Sequence, residues 1–142
     1  MYQAARYRCG EASALNAVGW FHAHLDNLAD ALSYCGRAAA LHHEIGDPHN
    51  EAAALDSLGY IHRRLGQPDA AVRHYRAACA LFRELGDRYE EAESLLSLGD
   101  THAEAGDTGA ARAAWRDALH ILDALDPPEA DRIRTRLPVR SG

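Results

Sequence analysis

Residues Glu51–Glu90 read EAAALDSLGYIHRRLGQPDAAVRHYRAACALFRELGDRYE. Shifted back by its own length, this stretch lies over Glu11–Asn50; shifted forward, it lies over Glu91–Ala130. Gly19, Gly59 and Gly99 mark the register, as do Leu15/Leu55/Leu95, His22/His62/His102, Ala31/Ala71/Ala111 and Ala38/Ala78/Ala118. Three copies in one unbroken register, with a period of forty residues, predict a solenoid. In such a fold each unit buries its apolar face against its neighbours.

Within each copy the pattern is helix, turn, helix. In the first copy Ala14, Leu15, Val18, Phe21 and Leu25 follow the i, i+3, i+4, i+7 spacing of an amphipathic helix over Glu11–Leu25. Asp26-Asn27 reads as a turn and N-cap. A second helix is predicted over Leu28–Ile45, with Ala31, Leu32, Cys35, Ala38, Ala39, Leu41 and Ile45 facing inward. Gly46 supplies a left-handed stop, and Asp47-Pro48 an N-cap with proline at the first helical position. Helices three and four are predicted over Pro48–Leu65 and Pro68–Leu85. Helix five follows the Gly86-Asp87 cap, with Glu90 at the capping-box position, and ends at Gly106-Asp107. Helix six runs over Thr108–Leu125.

The ends differ from the middle. Tyr7-Arg8-Cys9-Gly10-Glu11-Ala12 resembles Asp87-Arg88-Tyr89-Glu90-Glu91-Ala92, the entry to a repeat. The chain is therefore either a small free-standing protein or part of a larger one. Asp126-Pro127-Pro128-Glu129 is a helix start, and Ala130, Ile133 and Leu137 make a short apolar face. The expected organisation is an entry segment at 1–10, repeats at 11–50, 51–90 and 91–127, a capping helix at 128–137 and a tail at 138–142.

Small residues carry a packing prediction. Gly19, Gly59 and Gly99 fall near the middle of each first helix, where glycine costs about 1 kcal/mol relative to alanine. Close approach of the partner helix offsets that cost. Ala31/Ala71/Ala111 and Ala38/Ala78/Ala118 lie two turns apart on the second helices, with Cys35, Tyr75 and Trp115 as the bulky residue between them. Helices are therefore expected to pair closely in hairpins.

Composition narrows the function classes. The net charge is −6, which opposes direct nucleic-acid binding. All 15 basic residues are arginine. No stretch has the form of a signal peptide or a membrane span. Cys9, Cys35 and Cys79 are odd in number and lack CxxC spacing, which fits a reduced, cytoplasmic location. There is no GxSxG, no phosphate-binding glycine loop and no HExxH. The expectation is a protein that is not an enzyme, with no catalytic residues, no cofactor and no metal.

A small residue, then alanine, a bulky residue and alanine, in a helix–turn–helix unit, resembles the tetratricopeptide repeat. The family's Leu-Gly step is matched by Val18-Gly19, Leu58-Gly59 and Leu98-Gly99. Its second-helix alanines are matched by Ala31/Ala71/Ala111 and Ala38/Ala78/Ala118, and its aromatic by Tyr75 and Trp115. Cys35 departs from it, as do His22, His62 and His102 at the family's first-helix tyrosine. The forty-residue period and the Glu84-Leu85-Gly86-Asp87 connector resemble the long variant in the C-terminal repeats of actinobacterial transcriptional regulators. None of the ATPase or DNA-binding parts of those regulators is matched here.

The resemblance implies an all-α, right-handed α-solenoid of three helical hairpins plus the capping helix. It also implies a concave groove, lined by the first helices, that binds a protein or peptide. The groove candidates are Asn16, Trp20, Asp56, Tyr60, Arg63, Leu96 and Asp100, with Ser13, His24, Ala53, Arg64, Glu93 and Glu104 beside them. Trp20 and Tyr60, next to the packing glycines, are expected to form an exposed aromatic clamp; the plainer reading is that Trp20 only packs against its surroundings. Two further readings are self-association as a homodimer through the uncapped N-terminal repeat, near Phe21, Ala29 and Leu32, and sensing of a small molecule or signalling peptide. His22, His62 and His102 are expected inside the helix pairs, bonded to a carboxylate or carbonyl, because stacked helices about 8–10 Å apart cannot share one ion. His42-His43-Glu44 with Asp47 and His49 is the densest group of ligand-type residues, and helix-end stabilisation is its simpler role.

Overall fold

The computed structural model describes residues 2–126, 128 and 131. Among these described residues six helices follow in order: α1 Tyr2–His24, α2 Leu28–Ile45, α3 Pro48–Arg64, α4 Pro68–Leu85, α5 Arg88–Glu104 and α6 Thr108–Ala124. Each packs on the next, so the chain forms three hairpins, α1–α2, α3–α4 and α5–α6, stacked through α2–α3 and α4–α5. First helices also touch across layers, α1 with α3 and α3 with α5. This is an all-α solenoid of helical hairpins. No described helix is long and apolar enough to cross a membrane. The expected capping helix over 128–137 and the tail over 138–142 lie outside the described residues, apart from 128 and 131.

Helix ends agree with the predictions to within a residue or two, except at the start. From Tyr2 onward the expected entry segment is the first part of α1. Gly10 does not interrupt it; the space where its Cβ would stand is open.

The connectors share one geometry. At Gly46, Gly66, Gly86 and Gly106 φ lies between 72° and 86°, in the left-handed region. The glycine N–H donates to the carbonyl three residues back, and the next N–H donates to the carbonyl five back, as in Asp87 N to Phe82 O at 3.0 Å. This is the Schellman stop. Asp26 occupies the same position after α1 with φ 64°, a left-handed aspartate where the later first helices have glycine. Asp47, Asp87 and Asp107 then cap α3, α5 and α6 by accepting from the N–H three residues on. The capping box expected at Asp87/Glu90 is only half formed. Asp87 accepts from Glu90 N, but the Asp87 N–H is already committed to Phe82 O.

The helix-pair glycines stand where contact is closest. A Cβ on Gly19 would lie 2.5 Å from Cys35 Sγ, and one on Gly59 would lie 2.8 Å from the Tyr75 ring. One on Gly99 would overlap the Trp115 indole. The bulky residue between the alanines of each second helix therefore lies across the glycine of its own first helix. Burial pushes the Cys35 thiol up to about 11 and the Cys79 thiol up to about 12, so both behave as small apolar residues. Cys9 is half-buried.

The core is a strip in three patches. One joins α1, α2 and α3 around Ala23, Cys35, Ala38, Leu58 and Ile61. A second joins α4, α5 and α6 around Tyr75, Cys79, Leu95, Leu96, Ile121 and Leu122. A small patch of Ala52, Ala78 and Phe82, flanked by Leu55 and Leu81, lies between α3 and α4. Ion pairs repeat with the layers. Glu91, 1% exposed, accepts from Arg83 and Arg88, both at 3.0 Å, and one repeat earlier Glu51 meets His43 at 3.2 Å.

A candidate ligand groove on the first helices

α1 and α3 lie side by side, so residues at the same register in the first two repeats become neighbours. Trp20 and Tyr60 have ring centroids 4.9 Å apart, tilted by 52°, and His24 meets Trp20 edge-on at 4.6 Å. The Tyr60 hydroxyl accepts from Arg64 Nη1 at 2.8 Å, and the Arg64 guanidinium carbon lies 5.7 Å from the same ring. Arg64 also pairs with Asp26, which ties the end of α3 to the turn after α1. Trp20 stays 38% exposed. The two aromatics expected as a clamp are thus in contact with each other and present one continuous edge.

Beside them lies a cavity of about 410 Å³. Ser13, Asn16, Ala17 and Trp20 of α1 form one wall, Asn50, Ala53, Asp56 and Ser57 of α3 the other, and His42 of α2 reaches in from behind. Ser13, Ala17, Trp20 and Asn50 are exposed and form the rim; His42 and Ser57 are buried and form the floor. The repeat explains the space. One period on, His42 becomes Phe82 and Asn16 becomes Asp56 and then Leu96, and Phe82 and Leu96 are each 1% exposed.

The cavity is polar and incompletely satisfied. Asn16 Oδ1 and His42 Nδ1 are buried, and neither has a hydrogen-bond partner among the described residues. His42 Nδ1 is 3.8 Å from Asp47 Oδ2, too long for a hydrogen bond. Ser57 Oγ donates to Ala53 O at 3.1 Å, which leaves its lone pairs available. Asp56 accepts from Ser94 Oγ at 2.9 Å and so bridges to the third layer. Acidic charge continues onto α5. Burial, then the charges of Glu93, Asp87 and Asp56, push the Glu90 carboxyl up.

The remaining candidates are placed differently from expectation. Leu96 is 1% exposed, inside the α4–α6 core, and does not line the groove. Arg63 turns to the third layer, where its Nε and Nη2 donate to Glu104 at 2.9 and 2.5 Å; Arg64 is the arginine at the aromatic pair. Arg63 and Glu104 edge a second, smaller cavity of about 250 Å³ with Gly66, Pro68 and Thr101. Asp100 accepts from Trp115 Nε1 at 3.2 Å. Asn16, Trp20, Asp56 and Tyr60 are therefore gathered at one place, while Arg63, Leu96 and Asp100 are not.

His42 is the site residue the sequence reading grouped elsewhere. Its signal was present: a polar residue in a register that holds Phe82 and Leu122. The other members of its cluster disperse. His43 pairs with Glu51, Glu44 with Arg8, and His49 with Asp87 at 3.0 Å. Among the described residues no three potential metal ligands converge. His62 Nδ1 meets the side-chain carbonyl of Gln67 at 2.7 Å, as expected, whereas His22 Nδ1 meets Asn27 Nδ2 at 3.3 Å. They also stack on Tyr34 and His74.

A tetratricopeptide repeat family model matches residues 10–84. Among solved structures, the fold is similar to the TPR domain of Arabidopsis FLU, with a TM-score of 0.75 and 19% identity, covering 83% of this chain and 99% of that one. It is also similar to BtubC (BKLC) from P. vanneervenii, with a TM-score of 0.75 and 21% identity, covering 92% of this chain and 52% of that one. No curated protein matches. The repeat register, the glycine–bulky-residue contacts and the family match over more than half of its length agree: the chain belongs to the tetratricopeptide repeat family.

Proposed function

We propose that the protein is a non-catalytic scaffold that binds an extended peptide segment of a partner protein across its first helices. The observation that carries this reading is the Trp20–Tyr60 pair, at 4.9 Å, on the rim of an incompletely satisfied polar cavity. Exposed aromatic edges bury large area with little loss of side-chain entropy, and stacked hairpins hold the polar groups at fixed spacing before the ligand arrives. The forty-residue repeat and the Glu84-Leu85-Gly86-Asp87 connector support a place in, or alongside, a bacterial transcriptional regulator, and three cysteines without CxxC spacing support a cytoplasmic setting. Selection from a displayed peptide library, followed by titration of the recovered peptides, tests the groove. Trp20→Ala and Tyr60→Ala are each expected to weaken binding at least tenfold. Unchanged affinity in both variants would remove the groove from consideration.

A second reading, a homodimer through α1, is favoured by one observation. Tyr7, Val18, Phe21 and Leu25 are 78%, 41%, 64% and 56% exposed, whereas Leu58 and Ile61, one repeat on from Val18 and Phe21, are 5% and 0% exposed. Leu32 does not belong to this face; it packs on the α1–α3 core. Light scattering after gel filtration separates the two readings. A dimer that Phe21→Glu converts to monomer supports association, and a wild-type monomer at high concentration excludes it.

A further inference from the structure

We propose that the cavity between the first two layers is a receptor for a cationic side chain, the guanidinium or ammonium group of an arginine or lysine in the bound segment. This deepens the peptide-binding reading and rests on it. The unsatisfied atoms define what is missing. Asn16 Oδ1 is a buried acceptor, and His42 Nδ1, 3.8 Å from Asp47 Oδ2, is a second buried polar atom; neither has a hydrogen-bond partner among the described residues. His42 is 1% exposed and lies on the floor of the cavity. A buried polar group without a partner is unfavourable, and an incoming hydrogen-bond partner removes that cost. Ser57 Oγ has already given its proton to Ala53 O, so it too faces the cavity as an acceptor.

Charge selects among donors. Asp56 stands in the wall, and it acts with Glu93 and Asp87 on Glu90; His49, paired with Asp87 at 3.0 Å, opposes them only in part. The cationic side chains near the aromatic rim are committed. Arg63 holds Glu104, and Arg64 holds Asp26 and the Tyr60 hydroxyl. Trp20 stands at the mouth, 38% exposed, where it covers the stem of an entering side chain. An anionic group would meet Asp56, and an apolar group would leave Asn16 and His42 unsatisfied. A planar guanidinium, with five donors, fits the several acceptors best.

The test uses the full chain and pentapeptides of the form acetyl-Ala-Ala-X-Ala-Ala-amide, with X as arginine, lysine, citrulline, norleucine or glutamate. Binding is followed by calorimetry and by the Asn16 side-chain amide, His42 ring and Trp20 indole resonances. Saturable shifts of those three signals are expected with arginine and lysine, and at least tenfold weaker binding with citrulline, which keeps the shape and loses the charge. Asp56→Asn and Asn16→Leu are each expected to reduce arginine-peptide affinity at least tenfold, and Glu84→Gln to leave it unchanged. Argininamide and spermidine form a separate arm. Weaker binding than the peptide supports a peptide-borne cation; equal binding would overturn the peptide source. Citrulline and arginine binding alike, or full affinity in Asp56→Asn, would overturn the cation receptor. Library peptides that lack any cation, and that lose binding in Trp20→Ala while keeping it in Asp56→Asn, would sink this inference and leave the groove reading standing. Melting curves of each variant establish that the fold persists.

Discussion

At the scale of single residues, two kinds of glycine position make opposite predictions. Alanine is favoured over glycine in a helix interior by about 1 kcal/mol. Gly36 lies inside α2 with nothing within 4 Å of its Cβ position, so Gly36→Ala is expected to stabilise by about 0.5–1 kcal/mol. Gly59 has the Tyr75 ring 2.8 Å from that point, and Tyr75 is 1% exposed and cannot swing away. Gly59→Ala is expected to destabilise by about 1–2 kcal/mol, with the overpacking outweighing the helix preference. Urea titrations of both variants check the difference in sign. Asp26 makes a third case. Its left-handed backbone, at φ 64°, strains a side-chain-bearing residue. Asp26→Gly is expected to stabilise by about 1 kcal/mol, raising Tm by roughly 3–5 °C. The ion pair with Arg64 that it removes is solvent-screened and offsets little of this. A lowered Tm would show that the pair outweighs the strain. The glycine register was legible in the sequence because strict recurrence at a disfavoured helix position has a packing cause. Which atom fills each gap, a thiol, a phenol ring or an indole, followed once the bulky residue between the alanines was seen.

At the scale of elements, the first turn of α5 shows where local rules stop. Ser/Asp-x-x-Glu spacing predicts a closed capping box, yet the Schellman stop of α4 takes the Asp87 N–H first. Glu90 is left among carboxylates, and burial first, then Glu93, Asp87 and Asp56, raise its pKa. A carboxyl whose folded pKa is raised destabilises the native state at neutral pH. The penalty is relieved as pH falls through the folded value and is gone below the ordinary value of 4.5. Glu90→Gln is therefore expected to be more stable than wild type at pH 7, with the difference closing below pH about 4.5. Thermal melts at several pH values check it; a constant difference would mean that charge is not the cause. Helix existence and most boundaries were readable from apolar spacing, Gly-Asp stops and Pro at the first turn. The start of α1 was not, because Tyr7–Ala12 aligns with Asp87–Ala92, the entry to a later repeat, and so placed a boundary inside the helix.

At the scale of the whole molecule, the core is a strip of neighbouring patches. The α1–α3 and α4–α6 patches meet across α3 and α4, where Phe82, 1% exposed, anchors Ala52 and Ala78. In a stack of layers, stability is a sum of units and their interfaces. Phe82→Ala is expected to cost about 3–5 kcal/mol. It is also expected to split unfolding into two stages, visible by amide exchange as separate protection of α1–α3 and α5–α6. A single cooperative loss in both regions would show that other contacts, Tyr75 on Gly59 among them, suffice to couple the halves.

The amino-acid order alone determined the period, the helical hairpins, their stops and the close glycine contacts, because each depends on residues near in sequence or repeated in register. It also brought Asn16, Trp20, Asp56 and Tyr60 to one face. Only the tertiary structure decided that Arg63 turns to Glu104 while Arg64 takes Tyr60, that Leu96 is core, and that His42 closes the back of a polar cavity. These are choices among partners on neighbouring layers. Periodicity places a side chain on a face, but the packing of the layers determines which neighbour it meets.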